Sequence, residues 1–553
     1  MTIVGNGNWQ LFLDDYVIQR STGFQRVVHH PKDRGVVIPA EHAYEGLGVE
    51  RAQVFRREDG RFEAHYVAKW WDPEADDAVE AAKQDFIAYT SMAGAYAHSD
   101  DGIHWEKPNI RRVKAPKSSS LKNLSPVPVP DNYGTENNLG SPFAFIRDMS
   151  LHGNVDDPQK RFVIRLFSED KPVMNVQSVH APTGYFAAEI PDFLNDPDWK
   201  SKLIPMDGTL NPRRHWLHFY DDIHDEWVAM EQGVVGHWLP CRDIARFSSK
   251  DLKHWVSDSV LNPDMDDSSL PHCYSEVHML FPFFHEGIVF GLLDWMNSDR
   301  CFDYGGPSMG NPEAPFGWPG NAPICRKGTL ETRIVISRDG GKTWDRSSSR
   351  EAWIPHGTEE DSINRLVYSY GPPVRVGDED YFYMTVGDGD FLSVKISDRF
   401  EAYSHERMRK TQIALYTQKR DRYVSLRTRH VAEVLVTKPL LVDGDRLQLN
   451  VDASRGEVQV GIGIYESTPM LENCETYAHY VQWSECKPQA LRNLAEGFSI
   501  SDCEPIHSNA IAHDVVFTDG ADLSSLQGKT VRLFFRVTNA DLYGFRLFKS
   551  GDR

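Results

Sequence analysis

The sequence is short of several things, and each shortage removes a class of function. Seven cysteines among 553 residues (Cys241, Cys273, Cys301, Cys325, Cys474, Cys486 and Cys503) form no C-x-x-C pair and no regular framework. Neither a zinc ribbon nor a disulfide scaffold is expected, and the thiols read as reduced. Long apolar runs are missing too, since nothing approaches the roughly 18 consecutive apolar residues of a membrane-spanning helix. The opening MTIVGNGNWQLFLDD lacks the charged start and apolar stretch of a secretory signal, which predicts a soluble, cytoplasmic protein. Positive charge is scarce: 60 Lys and Arg stand against 80 Asp and Glu, a formal net charge of -20. Such a balance disfavours nucleic acid and anionic membrane as partners, because both attract basic surfaces. There is no Gly-rich phosphate loop and no dinucleotide fingerprint, so no redox cofactor is expected.

Aromatic residues are plentiful by contrast: 14 Trp, 21 Tyr and 28 Phe, with 22 His. They fill cores first, and they also make flat walls for sugar rings. Many sit in short strand-like runs: RFEAHYVAKWW (61–71), KRFVIRLF (160–167), EWVAMEQ (226–232), IVFGLLDWM (288–296) and DYFYMTV (380–386). Each is rich in β-branched and aromatic residues and is followed by a turn signal. The clearest helical pattern is DPEADDAVEAAKQDF (72–86), with Asp72 as cap and Pro73 at the first helical position.

An internal repeat organises these strands. Ser99–Trp105 has the form S-x-D-G-x-x-W, Ser249–Trp255 keeps its Ser, Asp and Trp, and Ser337–Trp344 is a longer S-x-D-G-G-x-T-W. These "Asp boxes" are tight turns: the Asp accepts backbone N–H groups, Gly takes an unusual dihedral, and Trp covers the turn. Their carboxylates are therefore assigned to folding, and they mark the outer turns of propeller blades. Strand groups beginning near Glu45, Glu136, His215, Glu276 and Asp361 give five blades of about four strands each. The segment QLFLDDYVIQR (10–20) is expected to join the ring closure. From Val434 onward, alternating strands without an Asp box read as an antiparallel β-sandwich. The expected fold is all-β, a five-bladed β-propeller over 1–432 followed by a sandwich over 433–553.

Taken together, LFLDDYVI, AHSDDGIHWEKP, RDIARFSSKDLKHW, ISRDGGKTW and the closing LVTKPLLVDGDRLQLNVDA and TVRLFFRVTNADLYGFRLF resemble bacterial proteins described as glycoside hydrolase family 32-like or sialidase-like. The resemblance covers nearly the whole chain. It implies the propeller-plus-sandwich fold of family 32 and family 43 glycosidases, and a glycosidase acting on a carbohydrate substrate. The chain departs from the better-known families by having no WMNDPNG near its start and no sialidase arginine triad with a nucleophilic Tyr. Five blades is also one fewer than sialidases have.

Glycoside hydrolysis uses two carboxyl groups across the scissile bond, and the innermost strand of each blade points residues at the central funnel. By analogy with the first-strand acid of families 32 and 43, Asp15 is the expected nucleophile or base, with Asp14 beside it. Arg242 and Asp243 in LPCRDIARF resemble the Arg-Asp step of family 32, which implies that Asp243 is catalytic, steadying the developing positive charge, and that the pair holds sugar hydroxyls. Glu276 in HCYSEVHML, with His278 on the same strand face, is the expected general acid, since burial among Tyr274 and apolar neighbours raises a carboxyl pKa. Glu45, Glu50 and Arg51 open the first blade, Glu136 to Asn138 the second, and Asp361, Asn364 and Arg365 the fifth. Of these, Glu45, Arg51, Asn138, Asp361 and Arg365 are the hydroxyl-binding candidates. His215 and His218, followed by Asp221, Asp222 and His224, are dense in ligand types, but i and i+3 on a strand point to opposite faces. No metal ligand set is therefore assigned, although a Ca²⁺ in the funnel or a structural Ca²⁺ is compatible with the sequence, as is a homo-oligomer. Two other readings remain: a carbohydrate-binding propeller without turnover, and a phosphorylase or lyase using the same funnel.

Overall fold

The computed structural model describes residues 2–42, 45–46, 48–57, 59–71, 90–108, 145–148, 162–167, 183–187, 204–205, 215–221, 224–233, 243–251, 254–261, 274–298, 328–347, 350–357, 366–387, 411–465 and 494–551. The helix expected over 72–86 lies outside them. Among the described residues no helix is long and apolar enough to cross a membrane. The chain forms two compact units, one of residues 31–376 and 380–417, the other of residues 1–30, 377–379 and 418–553.

The larger unit is a five-bladed β-propeller. Blade 1 comprises Gly48–Arg56, Phe62–Trp71 and Thr90–Ser99, with an outer bridge at Glu106. Blade 2 is Phe145–Asp148, Phe162–Phe167, Thr183–Ala187 and Ile204–Pro205, and blade 3 is His215–Asp221, Glu226–Gly233, Asp243–Ser249 and Val256–Leu261. Blade 4 is Tyr274–His285, Ile288–Ser298 and Gly328–Ser337, extended by bridges at Asp345 and Ile354. Blade 5 takes Leu366–Tyr368, Glu379–Gly387 and Thr411–Lys419, and its outermost strand is Lys32–Ile38 from the start of the chain. Closure thus falls to the polar-looking KDRGVVI and not to residues 10–20.

Two blade seams repeat one contact. Leu330, opening the third strand of blade 4, pairs in parallel with Leu366 of the innermost strand of blade 5, and Thr411 of blade 5 pairs likewise with Gly48 of blade 1. Gly48 has φ +111°, and a Cβ there would lie 2.3 Å from the Thr411 nitrogen, so only glycine fits the seam. Apolar side chains fill the faces between blades: Trp227, Met230 and Ile244 with Val277, Leu293 and Trp295, and Val54, Phe62 and Tyr66 with Tyr383, Ile413 and Leu415. Each such side chain fully withdrawn from water contributes about 1.5–3 kcal/mol.

The three S-x-D turns are built alike. Asp101 Oδ1 accepts the backbone N–H groups of Ile103 and His104 (2.8 Å each), Asp251 that of His254 (2.8 Å), and Asp339 that of Thr343 (2.8 Å). Burial would raise the Asp101 and Asp339 carboxyls, but these bonds outweigh it and hold both below the ordinary range. The glycines of two turns are also latched to the preceding blade. Tyr383 of blade 5 donates its hydroxyl to Gly102 O at 2.8 Å, and Arg246 of blade 3 donates Nε to Gly340 O at 2.8 Å.

The second unit is the β-sandwich. One sheet centres on Thr530–Thr538, flanked by Glu457–Ile464 on one side and by Glu433–Thr437 and Leu440–Leu441 on the other. The second sheet runs Asn509–Asp514, Arg446–Asp452, Asp541–Phe548, Val424–Arg427 and Gln25–Val28. Residues 1–30 belong here: Ile3–Val4 and Ile18–Arg20 extend the first sheet, and Gln10–Leu11 pairs with Asp541–Phe548 in the second. Phe12, Val17 and Ile18 bury in this core, where Phe12 packs edge-on against Phe535 and tilted against Phe545. The expected division at 432/433 is corrected accordingly. The sandwich begins again at residue 418 and includes the first thirty residues.

Candidate functional site

Three innermost strands are interrupted by a shift of register. In blade 1 the register passes from Glu50↔Val67 to Gln53↔His65, so Arg51 and Ala52 together oppose Tyr66. In blade 3 it passes from Leu217↔Ala229 to Phe219↔Val228, leaving His218 extra. In blade 4 it passes from Val277↔Trp295 to Met279↔Asp294, leaving His278 extra. A bulge bends its strand and re-aims the extra side chain, and bulges concentrate beside active sites. Arg51 pays for its position with φ +62°, a left-handed conformation that costs a side-chain-bearing residue about 1–2 kcal/mol. Its own N–H is held by Thr385 Oγ1 at 3.0 Å.

Around the blade 1 bulge, side chains from three blades meet. Glu50 is buried (4 % exposed) and its Oε2 accepts the Tyr368 hydroxyl of blade 5 at 2.9 Å, while its Oε1 lies 3.0 Å from Arg51 Nε. The Arg51 guanidinium lies 5.2 Å from the Tyr370 ring centre, and His278 of blade 4 meets Tyr368 edge-on at 6.0 Å. Burial alone would lower the Arg51 pKa, but the oxygens of Tyr370, Glu50 and Tyr368 raise it above its ordinary value, so Arg51 keeps its charge. The arrangement sets one buried carboxylate and two buried tyrosine rings behind the partly exposed Arg51 guanidinium, and a guanidinium so held can donate to hydroxyls.

Asp294, on the second strand of blade 4, is joined to this cluster through the Ser369 backbone. It is fully buried, and its Oδ1 accepts the Ser369 N–H at 3.1 Å and the Thr332 hydroxyl at 3.3 Å. Burial pushes its carboxyl well above the ordinary 3.8, and those two bonds offset only part of that.

The expected site residues fall into four groups. Arg51 and His278 are in the cluster. Glu276 and Asp243 are placed by their backbones: Glu276 stands on the innermost strand of blade 4, two residues before its bulge, and Asp243 opens the third strand of blade 3 opposite Gly233. Asn138, Arg242, Asp361 and Arg365 lie outside the described residues. Asp14, Asp15 and Glu45 are placed differently from the expectation. Asp14 and Asp15 sit in a turn of the sandwich unit, not on a propeller strand. The apolar residues flanking them, Phe12, Val17 and Ile18, are drawn into the sandwich core. Asp14 Oδ1 accepts the Tyr16 N–H at 3.0 Å, and Asp15 is exposed and paired with Arg26 at 2.7 Å. Glu45 is buried (1 % exposed) with its carboxylate committed internally, to Lys107 Nζ (2.9 Å), Tyr66 Oη (3.0 Å) and the N–H groups of Glu41 and His42. It anchors the loop before blade 1.

Sequence reasoning passed over Tyr368, Tyr370 and Asp294. The Y-x-Y in LVYSYG, directly after a blade opening, was the available signal for the first two. The ligand-type residues around Asp221 have a cationic neighbour. Asp221, His224 and Glu226 are close enough to share an ion, but the buried Arg246 guanidinium stands among them, 2.8 Å from Glu226 and 3.6 Å from Asp221.

No protein-family model and no curated protein matches the chain. Among solved structures, it is similar to an N-acetylgalactosamine deacetylase from F. plautii in complex with blood group B trisaccharide (12 % identity, 71 % of this chain and 96 % of that one, TM-score 0.37). It is similar also to an exo-β-1,3-galactanase from Clostridium thermocellum (11 %, 79 % and 73 %, TM-score 0.31) and to a thermostable family-43 glycoside hydrolase (11 %, 68 % and 92 %, TM-score 0.32). With TM-scores below 0.5, these overlaps carry no weight for the chemistry.

Proposed function

We propose that the chain is a carbohydrate-active enzyme, a glycosidase that cleaves a glycosidic bond of a small oligosaccharide or glycoside at the centre of the propeller. The observation that carries this reading is the convergence on Glu50 of Tyr368, Arg51 and, through Tyr368, His278, from the innermost strands of blades 1, 4 and 5. The sequence resemblance to family 32-like proteins points the same way. Glu50 and Glu276 stand just ahead of the bulges in the innermost strands of blades 1 and 4, and they are the carboxyl pair of this reading. Glu276 protonates the departing glycosidic oxygen. Glu50 either attacks the anomeric carbon or takes the proton of the water that does so, according to the distance between the two carboxyls. Asp243 and Arg242 hold substrate hydroxyls, a role also open to Arg51 and His278. Asp15 is replaced by Glu50 in this scheme because it stands in an exposed turn, paired with Arg26, and not on an innermost propeller strand.

The test is a panel of aryl glycosides and oligosaccharides assayed with wild type, Glu50→Gln and Glu276→Gln, with and without inorganic phosphate. Loss of turnover in both variants supports the scheme, and full activity in either removes that residue from it. Sugar binding without turnover by wild type would mark a binding propeller, and dependence on phosphate a phosphorylase.

A further inference from the structure

The Tyr368–Ser369–Tyr370 segment holds the site together from one side, since Tyr368 bonds Glu50 and Tyr370 underlies Arg51. The residue between the two tyrosines is fixed from another blade: Ser369 N–H donates to Asp294 Oδ1 at 3.1 Å. The Thr332 hydroxyl, 3.3 Å from Asp294 Oδ1, is also 3.3 Å from Val367 O, so the same short network reaches the backbone on either side of Tyr368. Asp294, Thr332 and Ser369 are all fully buried, and Asp294 Oδ2 has no hydrogen-bond partner among the described residues. An ionised carboxylate so placed carries a large desolvation cost, and a neutral carboxylic acid a much smaller one.

We propose that Asp294 is a positioning residue for the site, a buried acid whose Oδ1 fixes the Ser369 backbone and thereby aims Tyr368 at Glu50 and Tyr370 at Arg51. It acts through the tyrosine segment and touches no substrate. The inference rests on the proposed function only for its effect on turnover, because its geometric content stands alone. The Ser369 N–H and the Thr332 hydroxyl need only an acceptor at Oδ1, so an asparagine, similar in shape and never charged, serves in its place. An alanine removes the acceptor and leaves the Ser369 N–H buried without a partner.

The test compares Asp294→Asn, Asp294→Ala and Thr332→Val in the full chain by crystal structure and by turnover on the glycoside panel. The Tyr368–Glu50 hydrogen bond is expected intact in Asp294→Asn and Thr332→Val and opened in Asp294→Ala. Misplacing a site by about 1 Å costs on the order of 100-fold in rate, so the alanine variant is expected to lose kcat with KM little changed, while asparagine restores it. An alanine variant with the hydrogen bond intact, or an asparagine variant with it broken, overturns the proposal. Should the alanine variant not fold, infrared spectroscopy of wild type against Asp294→Asn decides: the signal of a protonated carboxyl must vanish in the variant, and its persistence overturns the assignment. Absence of any turnover by wild type would count against the glycosidase reading alone, since the structural and infrared arms do not need a substrate.

Discussion

Tyr368 donates its hydroxyl to Glu50 Oε2 at 2.9 Å, joining the innermost strand of blade 5 to that of blade 1 across a separation of 318 residues in sequence. A hydrogen bond to a charged group contributes about 1.5–3 kcal/mol. Tyr368→Phe is therefore expected to lower kcat/KM on a cleaved glycoside about 10- to 100-fold at that energy. Steady-state kinetics beside Glu50→Gln would show it, and an unchanged kcat/KM in Tyr368→Phe would detach the tyrosine from the site.

Asp15 provides the complementary case. It is exposed, paired with Arg26 and part of the sandwich unit, and an exposed ion pair contributes at most about 1 kcal/mol. Asp15→Asn is expected to keep wild-type kinetics and a nearly unchanged melting temperature. A large fall in kcat would return Asp15 to the catalytic scheme.

Arg246 is buried, bonded to Glu226 and to Gly340 O, and close to Asp221. Removing one partner of a buried ion pair costs about 3–5 kcal/mol because the remaining charge is stranded. Urea unfolding of Arg246→Ala should show a loss of that order, and a loss below about 1 kcal/mol would reduce the latch to a surface-like pair.

The glycines of the turns allow a controlled comparison. Gly102 has φ +75° and a Cβ there would lie 2.5 Å from the Tyr383 hydroxyl, whereas Gly35 has φ +84° with nothing within 4 Å of that position. Gly35→Ala is expected to cost only the left-handed dihedral, about 1–2 kcal/mol. Gly102→Ala must also break the Tyr383 latch, so thermal melts should rank it clearly below Gly35→Ala, and equal losses would count against the latch.

His65 in blade 1 is held down to about 4 by burial. Above the ordinary 6.5, both folded and unfolded chains leave it neutral. As pH falls from 6.5 towards 4, the unfolded chain takes up a proton that the folded chain refuses, so stability is lost across that window, by at most about 3 kcal/mol. His65→Gln should flatten the fall in melting temperature between pH 7 and pH 4 (about the span of the two values), and an unchanged slope would show that another group controls it.

The propeller was legible because its turns are local: a Ser, an Asp and a Trp at fixed spacing fold over a few residues whatever surrounds them. Its closure was not. Lys32–Ile38 carries charges and a glycine and becomes a strand only because Thr411–Lys419 offers an open edge, a tertiary fact. QLFLDD misled for the related reason that Phe12, Val17 and Ile18 suit either core equally well, and apolar pattern does not say which. Glu50 and Arg51 were visible at a blade opening, yet the left-handed backbone of Arg51 and the insertion of Tyr368 from another blade depend on contacts hundreds of residues apart.

The sandwich draws residues 1–30 and 418–553 into one body, so the propeller is an insertion between two pieces of another domain. During synthesis the first thirty residues emerge with no partner strands and must wait for the whole ring to be made before Thr530–Thr538 and Asp541–Phe548 arrive. Lys32–Ile38 must wait similarly, unpaired until Thr411–Lys419 appears. Both bodies therefore finish late in synthesis, and a fragment cut at residue 433 would carry a sandwich lacking strands in both of its sheets.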